Sequence, residues 1–365
     1  MNLCDLAVES IAGLQPYVPG KPIEELQRQY GVRDVIKLAS NESPIGPSQA
    51  AQAAIALATR DLTRYPDGNG YALKLALSEK FQIDANQITL GNGSNDVLEL
   101  IARCFASPAD EVIFSQHAFA VYPLVTQAIG ATLVEVPAKQ YGHDLTSMQR
   151  AITEKTKLIF IANPNNPTGT HIPATEVHTF LQSVADNVIV VLDEAYIEYG
   201  DEEVNSIDWL KQFPNLIICR TFSKAYGLAG LRVGFALSSP EIADLLNRLR
   251  QPFNVNHLAM SAAIAALGDE DYLQCAKQVN TEGMQQYIDG FDAMGLNYIP
   301  SKANFICVDV NTNAADIYEK LLQQGVIVRP VAGYGLPNHL RISIGLEHEN
   351  QRCLEALANS LSEAK

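Results

Sequence analysis

The sequence predicts an α/β fold: a large domain built on a seven-stranded, mostly parallel sheet, with a smaller α+β domain beside it. Three observations predict it. Short apolar runs alternate with helix-patterned stretches between about residues 71 and 237, the rhythm of strand–helix–strand units that feed a buried parallel sheet. Past residue 240 that rhythm gives way to long helical stretches and then a shorter mixed pattern. The chain has 365 residues, 47% of them hydrophobic, enough to bury two cores.

Taken in order, the first forty residues are irregular. Pro16, Pro19, Gly20 and Pro22 precede a short helical stretch at 24–30, and residues 1–40 are expected to pack as an arm on the small domain. Strands are expected at 88–90, 111–114, 132–136, 158–161, 188–192, 216–219 and 232–237, interleaved with helices such as 72–81 and 96–105. The link from Cys219 to Arg232 is short for a crossover helix, so the last strand is expected to run antiparallel. Helices follow at 239–249 and from 255 past 292. The closing pattern is a strand at 303–310, a helix at 314–324, strands at 326–328 and 340–344, and a helix from Glu347. The expected domains are 41–265 and 266–365.

Composition excludes several classes. With 41 Asp+Glu against 26 Lys+Arg the formal charge is −15. There is no cluster of basic residues, so neither nucleic acid nor an anionic membrane is an expected partner. The six cysteines are scattered without C-x-x-C spacing and read as reduced thiols of a cytoplasmic protein. The N-terminal residues lack a basic region and a long apolar stretch, so no signal peptide is expected. No apolar run approaches the ~18 residues of a membrane span. The seven histidines show no H-x-x-x-H pair, and no metal is expected.

Ligands of open α/β sheets sit beyond the carboxyl ends of the strands, and the loops predicted there carry an unusual polar set. Gly91-Asn92-Gly93-Ser94-Asn95-Asp96 would offer free N–H groups at a helix start, a phosphate cradle or an ordinary capped turn. Asn163-Pro164-Asn165-Asn166-Pro167-Thr168-Gly169 presents Asn166 on a turn stiffened by two prolines. Asp193, opening Asp193-Glu194-Ala195-Tyr196, is either a helix cap or a carboxylate that needs a cationic partner such as a pyridinium. Thr221 to Arg232 sets Lys224 among hydroxyls and glycines. It is either a surface loop or a lysine able to form a Schiff base with a carbonyl.

Together the segments N-P-N-N-P-T-G, D-E-A-Y and S-K-A-Y-G-L-A-G-L-R resemble those of the fold-type I, aspartate aminotransferase-like enzymes that depend on pyridoxal 5'-phosphate, across essentially the whole chain. More narrowly, Leu38-Ala39-Ser40-Asn41-Glu42-Ser43-Pro44, Arg64-Tyr65-Pro66-Asp67, Gly91-Asn92-Gly93-Ser94 and Leu340-Arg341-Ile342-Ser343-Ile344-Gly345 resemble the histidinol-phosphate aminotransferase branch. The resemblance implies Lys224 as the lysine that carries the cofactor and shuttles the proton, Asp193 against the pyridine nitrogen, and Asn166 and Tyr196 on the ring oxygen. It implies Gly93, Ser94, Asn95, Thr221, Ser223 and Arg232 round the phosphate. Phe119 would lie over the ring, where many relatives carry tyrosine. Tyr65 would enter the neighbouring subunit's site, which implies a homodimer. Arg341 would hold the substrate anion, helped by Arg329, Tyr17 and Asn304. The implied reaction is transamination between L-histidinol phosphate and 2-oxoglutarate, a step of histidine biosynthesis. Alternatives on the same scaffold are an aromatic amino acid aminotransferase, a decarboxylase of a phosphorylated amino acid, or a silent relative that regulates.

Overall fold

The computed structural model describes residues 3–16, 19–200 and 205–362. Tyr17 lies outside them. In chain order the strands are β1 (Ile36–Lys37), β2 (Ile88–Gly91), β3 (Glu111–Ser115), β4 (Thr132–Val136), β5 (Thr156–Ala162), β6 (Ile189–Asp193), β7 (Leu216–Thr221), β8 (Gly234–Leu237), β9 (Tyr298–Ile299), β10 (Phe305–Asp309), β11 (Val326–Ile327), β12 (Arg329–Val331) and β13 (Leu336–Ser343). Strands β2 to β8 make one seven-stranded sheet in the order β2-β8-β7-β6-β5-β3-β4. Only β8 runs against its neighbours, antiparallel to both β2 and β7, as the short β7–β8 link requires.

The central strands read as near-continuous apolar runs because helices cover both faces. β5, β6 and β7 are buried almost throughout, whereas β4 at the edge is largely exposed and carries Glu135. A charged, exposed edge strand resists pairing with another chain. The register brings the functional ends level: Ala162 lies opposite Asp193, Asp193 opposite Cys219, Thr221 opposite Gly234 and Gly234 opposite Gly91. Residues distant in sequence therefore emerge at one rim.

Several expected boundaries move, two of them for a clear local reason. The predicted strand at 232–237 starts at Gly234, because Arg232 occupies a left-handed turn (φ 55°) that a ladder cannot accept. The helix predicted from 255 past 292 is two helices, His257–Leu267 and Glu270–Met294. Gly268 ends the first, and the Asp269 carboxylate caps the second by accepting from the Tyr272 N–H. A side-chain oxygen satisfying a first-turn N–H starts a new helix there.

The second body is a four-stranded antiparallel sheet in the order β12-β13-β10-β9 with helices Ala314–Gln323 and Glu347–Ser362. Its core gathers Ile306, Val308, Ile317, Leu321, Leu340, Ile342 and Leu357, and takes in Ile36 and Leu38 from the N-terminal segment. β1 pairs in parallel with β11. The helix Glu270–Met294 reaches both bodies, with Leu273 in the large core and Tyr287 and Phe291 in the small one.

Candidate active site

A cleft of about 310 Å3 opens at the carboxyl rim of the large sheet, where the N-terminal segment and the small body meet it. Asp193, Asn166, Tyr196, Lys224, Ser94, Asn95, Thr221, Ser223, Arg232, Phe119 and Arg341 all line it.

One wall is an anion cradle. The helix Ser94–Phe105 begins two residues earlier than the sequence pattern showed, so the amides of Ser94 and Asn95 lie in its first turn and have no helical acceptor. Gly93, at φ 85°, precedes them. A Cβ there would stand 2.4 Å from Arg232 Nη2, so only glycine lets the guanidinium approach. Arg232 Nη1 donates to Ser223 Oγ (3.2 Å) and to the Ala229 carbonyl (3.1 Å), which aims the rest of the fork at the helix start. Amides, hydroxyls and a guanidinium at a positive helix end suit a phosphate.

The floor carries the charges. Asp193, buried at the end of β6, accepts from Tyr122 Oη (2.7 Å) and from the Ala195 N–H (3.3 Å). Burial pushes its carboxyl up to about 6, against the Tyr122 hydrogen bond. Lys224 follows β7 in a tight loop and donates from Nζ to the Ser40 carbonyl (3.0 Å). Burial, and then the charge of Arg341, push its ammonium down to about 7, so a large fraction is free amine near neutrality. Tyr196 receives Asn41 Nδ2 (2.9 Å) and Asn166 Nδ2 (3.2 Å) on its hydroxyl oxygen. Phe119 stands edge-on to Tyr122, which in turn stacks flat on Phe160 at 4.6 Å.

The far wall belongs to the small body. Arg341 is buried on β13, donating to Asn166 Oδ1 (2.6 Å) and the Ala39 carbonyl (2.7 Å), while its Nε has no hydrogen-bond partner. Arg329 pairs directly opposite Arg341 across β12 and β13 but does not line the cleft. Asn304 also stands behind the wall, where its Nδ2 donates to the Asn41 carbonyl (3.0 Å). Tyr65 does not line its own chain's cleft. It is 82% exposed and stacks on Phe253 at 4.8 Å. Sequence reasoning gave no role to Tyr122 or Asn41. Tyr122 sits only three residues past Phe119, but its contact with Asp193 depends on the β3–β5–β6 register, which no local pattern displays.

An amine held near neutrality, a buried carboxylate short of a cation and an anion cradle at one rim of a parallel sheet define a lysine-centred, cofactor-carrying α/β enzyme. A profile of the family Aminotransferase class I and II matches residues 33–357. The chain is 57% identical over 365 residues to a histidinol-phosphate aminotransferase of Pseudomonas fluorescens, covering 99% of each, and 58% identical over 359 residues to one of Pasteurella multocida, covering 98% of each. Its structure superposes with a TM-score of 0.92 and 31% identity on the histidinol-phosphate aminotransferase of Sinorhizobium meliloti in complex with pyridoxal-5'-phosphate, covering 98% of each chain. The chain belongs to the class I and II aminotransferase family.

The residues present fit pyridoxal phosphate. The Gly93–Arg232 cradle would hold the phosphate, a pyridinium would supply the cation that Asp193 lacks, and the Lys224 amine stands ready for an aldehyde. Among the described residues no helix is long and apolar enough to cross a membrane.

Proposed function

We propose that this protein is a pyridoxal phosphate-dependent aminotransferase. It moves the amino group of L-histidinol phosphate to 2-oxoglutarate, giving imidazole-acetol phosphate and glutamate in histidine biosynthesis. The observation that carries the reading is the convergence of Lys224, Asp193, Asn166, Tyr196, Arg232 and Arg341 on one cleft, together with the close kinship to enzymes named for that substrate.

When bound, the cofactor withdraws the electron pair left at the substrate's Cα and takes up its amino group. Lys224 Nζ would hold the cofactor at rest and, as a free amine above the substrate, would take the Cα proton and deliver it to the cofactor carbon on the far side of the substrate nitrogen. Asp193 keeps the pyridine nitrogen protonated. Tyr196 and Asn166 would hold the ring oxygen, and Phe119 would pack against the ring. Gly93, Ser94, Asn95, Thr221, Ser223 and Arg232 anchor the phosphate. Arg341 receives the anion of either substrate, with an Nε still unpaired. Arg329 stands alongside it and adds charge for a phosphate dianion, which needs more donors than a carboxylate. Asn304 supports this end of the site from behind, through the Asn41 carbonyl.

The same reading makes the enzyme a homodimer, each Tyr65 entering the partner's cleft. Its exposure, with that of Leu57, Leu62 and Tyr71 close by in sequence, supports this. It also places the enzyme in the cytoplasm, consistent with the free cysteines at 104, 219, 275, 307 and 353. The division into arm 1–40, large domain 41–265 and small domain 266–365 follows the separate cores, except that Ala266, Leu267 and Leu273 still belong to the large one. Purified protein is expected to form glutamate from histidinol phosphate and 2-oxoglutarate, and Lys224→Ala to abolish it. Equal or faster turnover of tyrosine or phenylalanine would overturn the substrate assignment.

A further inference from the structure

We propose that Asn41 is a positioning residue for this reaction, fixing the Tyr196 hydroxyl as a hydrogen-bond donor aimed into the cleft. The proposal rests on the transaminase reading and adds a residue that lies outside all the loops at the strand ends.

A guanidinium can only donate. The Asn166 atom 2.6 Å from Arg341 Nη1 is therefore Oδ1, and Asn166 Nδ2 is turned to the Tyr196 oxygen, 3.2 Å away. A second chain of bonds reaches the same oxygen from the other side. The Asn41 backbone N–H, again only a donor, gives its hydrogen to Ser343 Oγ (2.8 Å). The Ser343 hydroxyl then donates to Asn41 Oδ1 (3.1 Å), which leaves Asn41 Nδ2 facing Tyr196 Oη at 2.9 Å. Two amide hydrogens thus converge on one phenolic oxygen. That oxygen has only its own hydrogen left to offer, and the open direction is the cleft that Tyr196 lines.

The backbone is shaped for this. Asn41 is 1% exposed and holds φ 55°, a conformation that asparagine tolerates better than most residues. Its carbonyl receives Asn304 Nδ2, while the carbonyls of Ala39 and Ser40 receive Arg341 and Lys224. One turn of the N-terminal segment so serves four side chains of the site. The charged and titratable groups that face the Tyr196 phenol are Arg341, Asp193, Lys224 and Tyr334.

The test reads the resting holoenzyme rather than turnover. A hydrogen bond from Tyr196 favours the ionised ring oxygen of the bound cofactor, so its loss raises the pH midpoint of the cofactor's visible absorbance change. Asn41→Gly keeps the backbone and deletes the amide, and is expected to raise that midpoint by about 0.5 unit or more. Ser343→Ala, which frees the Asn41 amide to rotate and also removes the acceptor of its backbone N–H, is expected to shift it in the same direction by less, and stands in if Asn41→Gly fails to fold. In a Tyr196→Phe background neither change should move the midpoint further, because both act through the missing hydroxyl. An unchanged midpoint in both single variants, alongside a shift in Tyr196→Phe, overturns the proposal and leaves the transaminase reading standing. Equal shifts with and without the Tyr196 hydroxyl also overturn it. If wild-type protein binds no cofactor that borohydride fixes to Lys224, it is the transaminase reading that fails.

Discussion

Asp193 shows what the cofactor must relieve. It has one tyrosine and one backbone amide for company and is held at about 6 by burial. Its folded-state value lies above its ordinary 3.8, so ionising it costs stability. That cost is absent below 3.8, grows with rising pH and is complete above about 6. Asn at this position keeps an acceptor for Tyr122 without the charge. Asp193→Asn is therefore expected to stabilise the cofactor-free protein near neutral pH by about 1–3 kcal/mol, and by less at pH ~5, in thermal melts at the two pH values. The same change should cripple transamination, since an amide cannot hold the pyridine nitrogen protonated. Lys224 carries the opposite sign of pH dependence. Its ammonium value is depressed from 10.5 to about 7, so its burden is greatest below 7 and fades as pH climbs towards 10.5.

The helix Ser94–Phe105 and the β7–β8 loop act as one device, because a missing Cβ lets them touch. Gly93→Ala would place a methyl 2.4 Å from Arg232 Nη2 at a φ of 85°. Either the guanidinium withdraws or the helix start tilts, and both spoil the cradle. A fall of roughly 10-fold or more in pyridoxal phosphate affinity is expected by equilibrium titration, about 1.4 kcal/mol, with a lower melting point in the cofactor-free protein as well, because alanine is strained at that φ. The seven strands of the large sheet were legible in the sequence, whereas the short β1, β9 and β12 were not. The apolar runs that became β5, β6 and β7 are continuous because both faces are covered, and the brevity of the link to β8 revealed its direction. The loops that carry Asn166, Asp193 and Lys224 showed an excess of polar and stiffening residues over what a turn needs. Arg232 was legible as a residue but not as a turn, since a left-handed arginine leaves no mark on the pattern. Tyr122 and Asn41 were hidden for a different reason. Each earns its place through partners 71 and 155 residues away, and such contacts exist only once the sheet has set its register.

At the scale of the whole molecule, the charge of −15 makes local arrangement decisive. Arg341, Arg329 and Arg232 must hold anions inside a repelling global field. Assembly matters as much, if Tyr65 serves the neighbouring subunit. Mixing Tyr65→Ala chains with Lys224→Ala chains would then form hybrids in which one of two sites has both groups. Activity should return to about one quarter of wild type under random exchange of a two-fold dimer, from two preparations that are each nearly inactive. Absence of recovery despite exchange, followed by mass-tagged subunits, would show that Tyr65 does not act across the interface.

The helix Glu270–Met294 begins in one core and finishes in the other, and Asn280 and Gly283, near its middle, are wedged against Ala303 and Ile344. Its consequence is mechanical. A continuous rod planted in both bodies ties the wall that carries Arg341 to the floor that carries Lys224, so the span between anion site and amine is set by rigid backbone rather than by a loop.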